Sequence, residues 1–328
     1  MEMQIKGKKS LKEFVRDLTK MQCFTAVVAL VLLIGFMSIK SPVFLKWANI
    51  KNILVAAAVM GVLGCGTTTA MLMGAMDISQ YTGVAFIGMC AATLLNKGVL
   101  NAGTAILFCI VAGMAIGFIN GFIVTRLNVV PLIATVGTQY IMRGLACIVG
   151  NGAYVTFTSD FLKKLGQGEF LGLGIVVWIM LAAMLVYNFI LTRTLFGRKL
   201  YAVGGNQKAA YLAGIKPKDI MHKAFVLNGV SVGLAAILVI SMFSFCNPQY
   251  GQGADFDVIV SVVLGGISMS GGKGKLIGML LGVLIMCIIN NMFSLLGISS
   301  YMQTVVRGAI LIATVSLDAA RGRGFLAN

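Results

Sequence analysis

The chain is 328 residues long, 59% hydrophobic and only 11% charged, with four prolines and a mean hydropathy of +0.95. So much apolar surface has no polar exterior to hide behind, which excludes an ordinary soluble domain and predicts an all-α polytopic membrane protein. The net charge of +16 forms no basic stripe interleaved with surface aromatics, so it reads as membrane topology and contact with anionic lipid, and no nucleic-acid partner is expected.

The N-terminal segment carries Lys6, Lys8, Lys9, Lys12, Arg16 and Lys20 ahead of an apolar run with no small-residue cleavage site, the pattern of a retained signal anchor with its N-terminus inside. Within it, Leu11, Phe14, Val15 and Leu18 recur at helical spacing, which predicts an amphipathic surface helix over 8–20. Ten apolar runs then follow: 22–39, 50–73, 83–95, 103–125, 131–150, 171–191, 224–246, 258–269, 276–293 and 303–317, the third and eighth short. An even count returns both termini to the cytoplasmic side. The loops placed inside then hold three times as many Lys and Arg as those placed outside, as retention of positive charge requires. The organisation expected is a basic cytoplasmic segment over 1–21, one membrane domain over 22–317 with a cytoplasmic loop at 192–223, and a cytoplasmic tail over 318–328.

Glycines punctuate the spans, as in Gly61-x-x-Gly64-x-Gly66, Gly113-x-x-x-Gly117-x-x-x-Gly121 and Gly278-x-x-x-Gly282, and the ordinary reading is close helix packing. Seven cysteines lie singly in or beside apolar runs, without C-x-x-C pairs and with one histidine in the chain. They read as small apolar residues, and neither a disulfide framework nor a metal site is expected.

The first polar break is Gly74-Ala75-Met76-Asp77-Ile78-Ser79. An acid at membrane depth must face protein or water, so Asp77 and Ser79 form either a capping turn or a gate. Asn120, Arg126, Asn128 and Pro131 bracket the next inner turn, with Pro131 suited to the first turn of the fifth span. Arg143, inside that span, must snorkel or line a cavity.

The longest polar stretch is Arg193 to Lys223, with basic residues Arg193, Arg198, Lys199, Lys208, Lys216, Lys218 and Lys223. Its interior predicts a short helix: Gly204-Gly205-Asn206 starts it, Gln207 to Ala213 form it, and Gly214 stops it. The later Gly265 to Lys275 segment only superficially resembles a phosphate loop, because Gly272-Lys273 is followed by Gly274 where Ser or Thr is needed and Ile267 stands where the first glycine belongs. Asn290, Asn291, Ser299, Ser300, Tyr301, Gln303 and Arg307 are polar groups at membrane depth, read as interhelical glue or as partners for a polar solute. Only Asp77 and Asp318 read as acids near the membrane, too few for a proton or ion relay, so an ion-coupled secondary transporter is the second reading and a membrane enzyme is not expected.

In this order, Met76-Asp77-Ile78-Ser79, Asn120-Gly121, Pro131 to Thr138 with Arg143-Gly144, Phe196-Gly197-Arg198, Ala202 to Asn206, Ala209-Ala210 with Leu212 to Ile215, Val263 to Gly266, Ser270 to Gly274, and Asn290-Asn291 with Gly297 to Tyr301 resemble the permease subunit of ribose-type ATP-binding-cassette monosaccharide importers. The resemblance implies a multi-pass permease of the cytoplasmic membrane that moves a ribose-, galactose- or xylose-like sugar by alternating access. It also implies a second permease copy, identical or related, a cytoplasmic ATPase that hydrolyses the ATP, and an extracytoplasmic sugar-binding protein, and no cofactor in this chain. Nucleosides, furanone-type signals and branched-chain amino acids are the alternative solutes within that superfamily. The coupling residues it implies are Asn206, Lys208, Ala209, Ala210, Gly214 and Ile215, with Lys208 in place of the usual acid. The candidate gate or pathway residues are Asp77, Ser79, Asn120, Arg143, Asn290, Asn291, Tyr301 and Gln303. The Gln80-Tyr81-Thr82 run departs from the small apolar residue and glycine usual there.

Overall fold

The computed structural model describes residues 24–324. The surface helix expected over 8–20, the basic segment over 1–21 and the end of the tail lie outside these residues. In chain order the helices are α1 (Phe24–Lys40), α2 (Trp47–Met71), α3 (Gln80–Asn96), α4 (Ala102–Arg126), α5 (Pro131–Val149), α6 (Asp160–Gln167), α7 (Ile175–Arg193), α8 (Leu195–Gly205), α9 (Gln207–Leu212), α10 (Pro217–Phe243), α11 (Asp257–Leu264), α12 (Leu276–Leu295) and α13 (Ser300–Gly324). Each of the ten apolar runs coincides with a helix, but among the described residues only α2, α4, α5, α7, α10, α12 and α13 are long and apolar enough to cross a membrane. At 1.5 Å per residue the 17-residue α3 spans about 25 Å and the eight-residue α11 only about 12 Å.

Three runs are bounded differently from their expectation. Residues 171–174 are not helical: Leu171 and Gly172 take φ of 51° and 78°, turning β2 (Glu169–Phe170) into β3 (Leu173–Gly174) before α7 begins. The eighth run stops at Leu264, because Gly265 and Gly266 break it, Gly266 with φ 88°. The seventh starts early, at Pro217, and ends at Phe243 on a left-handed Ser244. Phe245–Cys246 (β4) then pairs antiparallel with Val155–Thr156 (β1).

Glycines set the packing. A Cβ on Gly113 or Gly117 of α4 would lie within 3.0 Å of Gly229 and Gly233 or Phe225 of α10, so these two helices touch backbone to backbone. On α2, Gly61 receives Met180 of α7, Gly64 receives Met279 of α12, and Gly66 receives Ser231 and Asn228 of α10. Helix α2 is thereby surrounded by neighbours and is the core of the bundle, whereas α13 is the most exposed. Gly278 and Gly282 of α12 seat α11 in the same way.

The loops sort to two ends. One end joins β1 to β4, pairs Lys51 with Glu169 at 2.6 Å, and carries the loop over 244–256. The other holds α8, α9, the Arg126–Asp219 ion pair at 3.3 Å, and Met269 N donating to Asp318 at 3.0 Å.

Candidate functional site

Where α2 ends, the chain does not leave the bundle but turns through residues 72–79 inside it. Asp77 is buried and accepts from Ser79 N (2.8 Å) and Ser79 Oγ (2.5 Å) on one oxygen, and from Asn228 Nδ2 (2.7 Å) on the other. Asn228 Oδ1 in turn accepts from Gln80 Nε2 (2.5 Å), and Gln80 Oε1 from Thr67 Oγ1 (2.8 Å). Asn120 Nδ2 donates to Ser79 Oγ at 3.0 Å, leaving its own Oδ1 buried without a partner. The chain of bonds ties α2, α3, α4 and α10 together around the break, and it satisfies both Asp77 oxygens at a depth where an unmade bond is costly. The acid therefore closes the bundle on that level.

Beyond it, toward the loop over 244–256, lies a cavity of about 480 Å³. One wall is polar: Asn52 of α2, Asp257 at the head of α11, Asn290 and Ser294 of α12, and Arg307 of α13. The lining also carries Tyr81, Phe243 and Tyr250, with the two tyrosine rings 6.1 Å apart. Arg307 Nη2 donates to Asn290 Oδ1 at 3.0 Å, while its Nε stands 3.8 Å from Asp257 Oδ2 and has no hydrogen-bond partner. A cavity of this size with a few convergent polar groups on one side fits a small solute.

At the opposite end, Asn206 caps α9 by accepting from Ala209 N at 2.9 Å. The helix ends with Ile215 N on Ala210 O (3.0 Å) and Gly214 N on Tyr211 O (2.9 Å), Gly214 having φ 80°. Ala210 is buried beneath the helix, while Tyr211 and Leu212 stand 68% and 85% exposed between Lys208 and Lys216, an apolar tip in a basic rim. The preceding α8, inside the cytoplasmic loop expected over 192–223, carries this tip on Gly204 and Gly205. A Cβ on Gly204 would strike Leu72 O and Gly272 N, one on Gly272 would strike Gly205, and Gly272 N itself donates to Leu72 O at 2.8 Å. Three chain segments, the end of α2, the end of α8 and the 265–275 break, thus meet with no side chain between them.

The candidate pathway residues fall into separate places. Asp77, Ser79 and Asn120 form the closed network; Asn290 and Asn291 line the cavity, although Asn291 is also paired with Asn49 through two bonds of 2.8 and 3.1 Å. Arg143 donates to Pro248 O and Tyr250 O (2.5 and 3.1 Å) and to Thr82 Oγ1 (3.2 Å), so it pins the 244–256 loop over the cavity. Tyr301 is 86% exposed and Gln303 bonds Ile298 O at 2.9 Å, both away from the cavity. The expectation that only Asp77 and Asp318 are acids near the membrane is corrected: Asp257 is buried against Arg307, a pair hidden in sequence because fifty residues separate its members.

A bundle of membrane-crossing helices with a closed polar break and a solute-sized cavity has the form of a multi-pass membrane permease. The chain matches, over residues 49–315, the family described as branched-chain amino acid transport system / permease component. Among curated relatives, the ribose import permease protein RbsC of Bacillus subtilis (strain 168) is 36% identical over 91% of this chain and 93% of its own, and that of Escherichia coli (strain K12) is 35% identical over 89% and 92%. The L-arabinose ABC transporter permease protein AraH of Azospirillum brasilense is 34% identical over 89% and 86%. This chain belongs to that family, the permease subunits of ribose-type ATP-binding-cassette sugar importers. No solved structure matches it.

Proposed function

We propose that this permease moves a monosaccharide across the cytoplasmic membrane by alternating access, driven by a separate ATPase that docks on α9. The observation that carries the reading is the side-chain-free junction of Leu72, Gly204 and Gly272: a push on α8 and α9 reaches both membrane breaks directly, since no flexible side chain intervenes to absorb it. Relatives named for ribose and arabinose support a pentose-like solute, and the basic rim of Lys208, Lys216 and Lys218 suits an acidic groove on the partner. In this reading the chain makes ten passes with both termini cytoplasmic, pairs with a second permease copy, receives its solute from a binding protein, and carries out no ATP hydrolysis itself. Asn206, Lys208, Ala209, Ala210, Gly214 and Ile215 are the coupling residues, and the path runs through the cavity bordered by Asn290 and Asn291 to the gate of Asp77, Ser79 and Asn120, with Arg143 holding the outer loop.

The test is co-expression with the adjacent genes. A cassette ATPase should co-purify, and uptake should cease when that ATPase is inactivated; proton- or sodium-driven uptake by this chain alone overturns the reading. A narrower test targets coupling. Valine at Gly214 adds about 1–2 kcal/mol of left-handed strain at the end of α9, and a bulky residue at Ala210 lifts the helix from its seat. Both variants should insert normally and lose most transport.

A further inference from the structure

We infer that the cavity between α2, α11, α12 and α13 binds a neutral polyol through one hydroxyl set between Asp257 and Arg307. The inference rests on the sugar-permease reading and adds to it where the sugar is held and by which groups. The Arg307 guanidinium is oriented by Asn290, which takes its Nη2, yet its Nε is buried with no hydrogen-bond partner and lies 3.8 Å from Asp257 Oδ2. That gap is too long for a hydrogen bond, so the Nε–H is left without an acceptor while facing a carboxylate that can still accept. A hydroxyl is the neutral group that donates and accepts at once, so it completes both: its O–H to Asp257, its lone pair to Arg307 Nε.

The pair's charges cancel, so a ligand with net charge would be disfavoured by one partner or the other. Asn52 and Ser294 extend the polar wall for further hydroxyls. In the same lining, the Tyr81 and Tyr250 rings give the apolar surface that the C–H side of a sugar ring needs. An α-amino acid also carries one charge of each sign, but an aliphatic one such as leucine would leave this amide and hydroxyl wall without its matching hydroxyls. The permease on this account selects its solute and is more than a conduit for what a binding protein delivers.

The experiment uses the full importer in membranes, with Ala56→Cys on α2 as a reporter in the cavity wall and the chain without that substitution as background. Alkylation of the new thiol is timed with D-ribose, L-arabinose or L-leucine present, alongside uptake of the same solutes. A transported sugar should slow alkylation, and Asp257→Asn or Arg307→Lys should raise the half-protecting concentration about tenfold, each read against that variant's own sugar-free alkylation rate. If the importer takes up a sugar that gives no protection, or if neither variant shifts protection, the binding site is wrong while the transport reading stands. Protection by leucine in place of sugars also overturns it. An importer that takes up no sugar removes the underlying reading instead.

Discussion

At the scale of single residues, the Asp77 network behaves as a directed chain. As a carboxylate Asp77 only accepts, so that Asn228 donates to it, Gln80 donates to Asn228, and Thr67 donates to Gln80. Replacing Asp77 by Ala orphans the Ser79 amide and hydroxyl and Asn228 Nδ2 in a dry interior, which costs about 1–3 kcal/mol for each group left unmade. Asn at 77 permits every amide to turn over, because the chain ends on the Thr67 hydroxyl, which can accept as well as donate. Thermal melting in detergent should therefore show Asp77→Ala well below the parent and Asp77→Asn near it. Adding Thr67→Val to Asp77→Asn should cost more than Thr67→Val alone. Equal costs in both backgrounds would refute the directed chain. A capping turn was visible in the sequence because Asp77 and Ser79 are two residues apart. Asn228 was not, since its partnership with Asp77 depends on α2 and α10 lying side by side.

At the scale of elements, local signals were legible and tertiary ones were not. Helix α9 is bounded as its residues dictate, with Asn206 at one end and Gly214 at the other, both acting on their own backbone. Arg143 is the opposite case: its acceptors are the carbonyls of Pro248 and Tyr250, which any residue would supply, so nothing in the sequence announces them. Helix α8 was hidden by its own Arg198 and Lys199, which read as loop, although Thr194 caps it by accepting from Gly197 N at 3.2 Å. Its end carries the next prediction. Gly204→Ala places a methyl group against Leu72 O and Gly272 N, backbone that has no rotamer with which to yield, so α8 must separate from both breaks. ATP hydrolysis by the complex should persist while sugar uptake per ATP falls several-fold. Gly205→Ala, whose Cβ meets open space, should leave the ratio unchanged, and equal behaviour of the two would dismiss the junction as a transmission point.

For the whole molecule, the arrangement is asymmetric: the cavity lies toward the end with the 244–256 loop, and the opposite end is shut twice, by the Asp77 network and by the glycine junction. The short α3 and α11 explain how. Each belongs to a crossing broken by a turn, the largely buried residues 72–79 before α3 and the partly exposed 265–275 after α11, and the two turns meet at the closed end through Gly272 N on Leu72 O. On the path proposed above, a solute entering the cavity leaves inward only if those turns separate. A Cβ on Gly74 would stand 3.4 Å from Ser270 O, so the two turns touch here, and cysteines placed at 74 and 270 test them once mass spectrometry shows that the disulfide has formed. The left-handed Gly74 makes the first substitution cost about 1–2 kcal/mol, which the reduced protein reports as its own control. Oxidation should abolish sugar uptake and reduction restore it, while sugar still slows alkylation of a cavity cysteine in both states. Uptake that continues at the parental rate with the two turns covalently joined would mean that the solute leaves by another route.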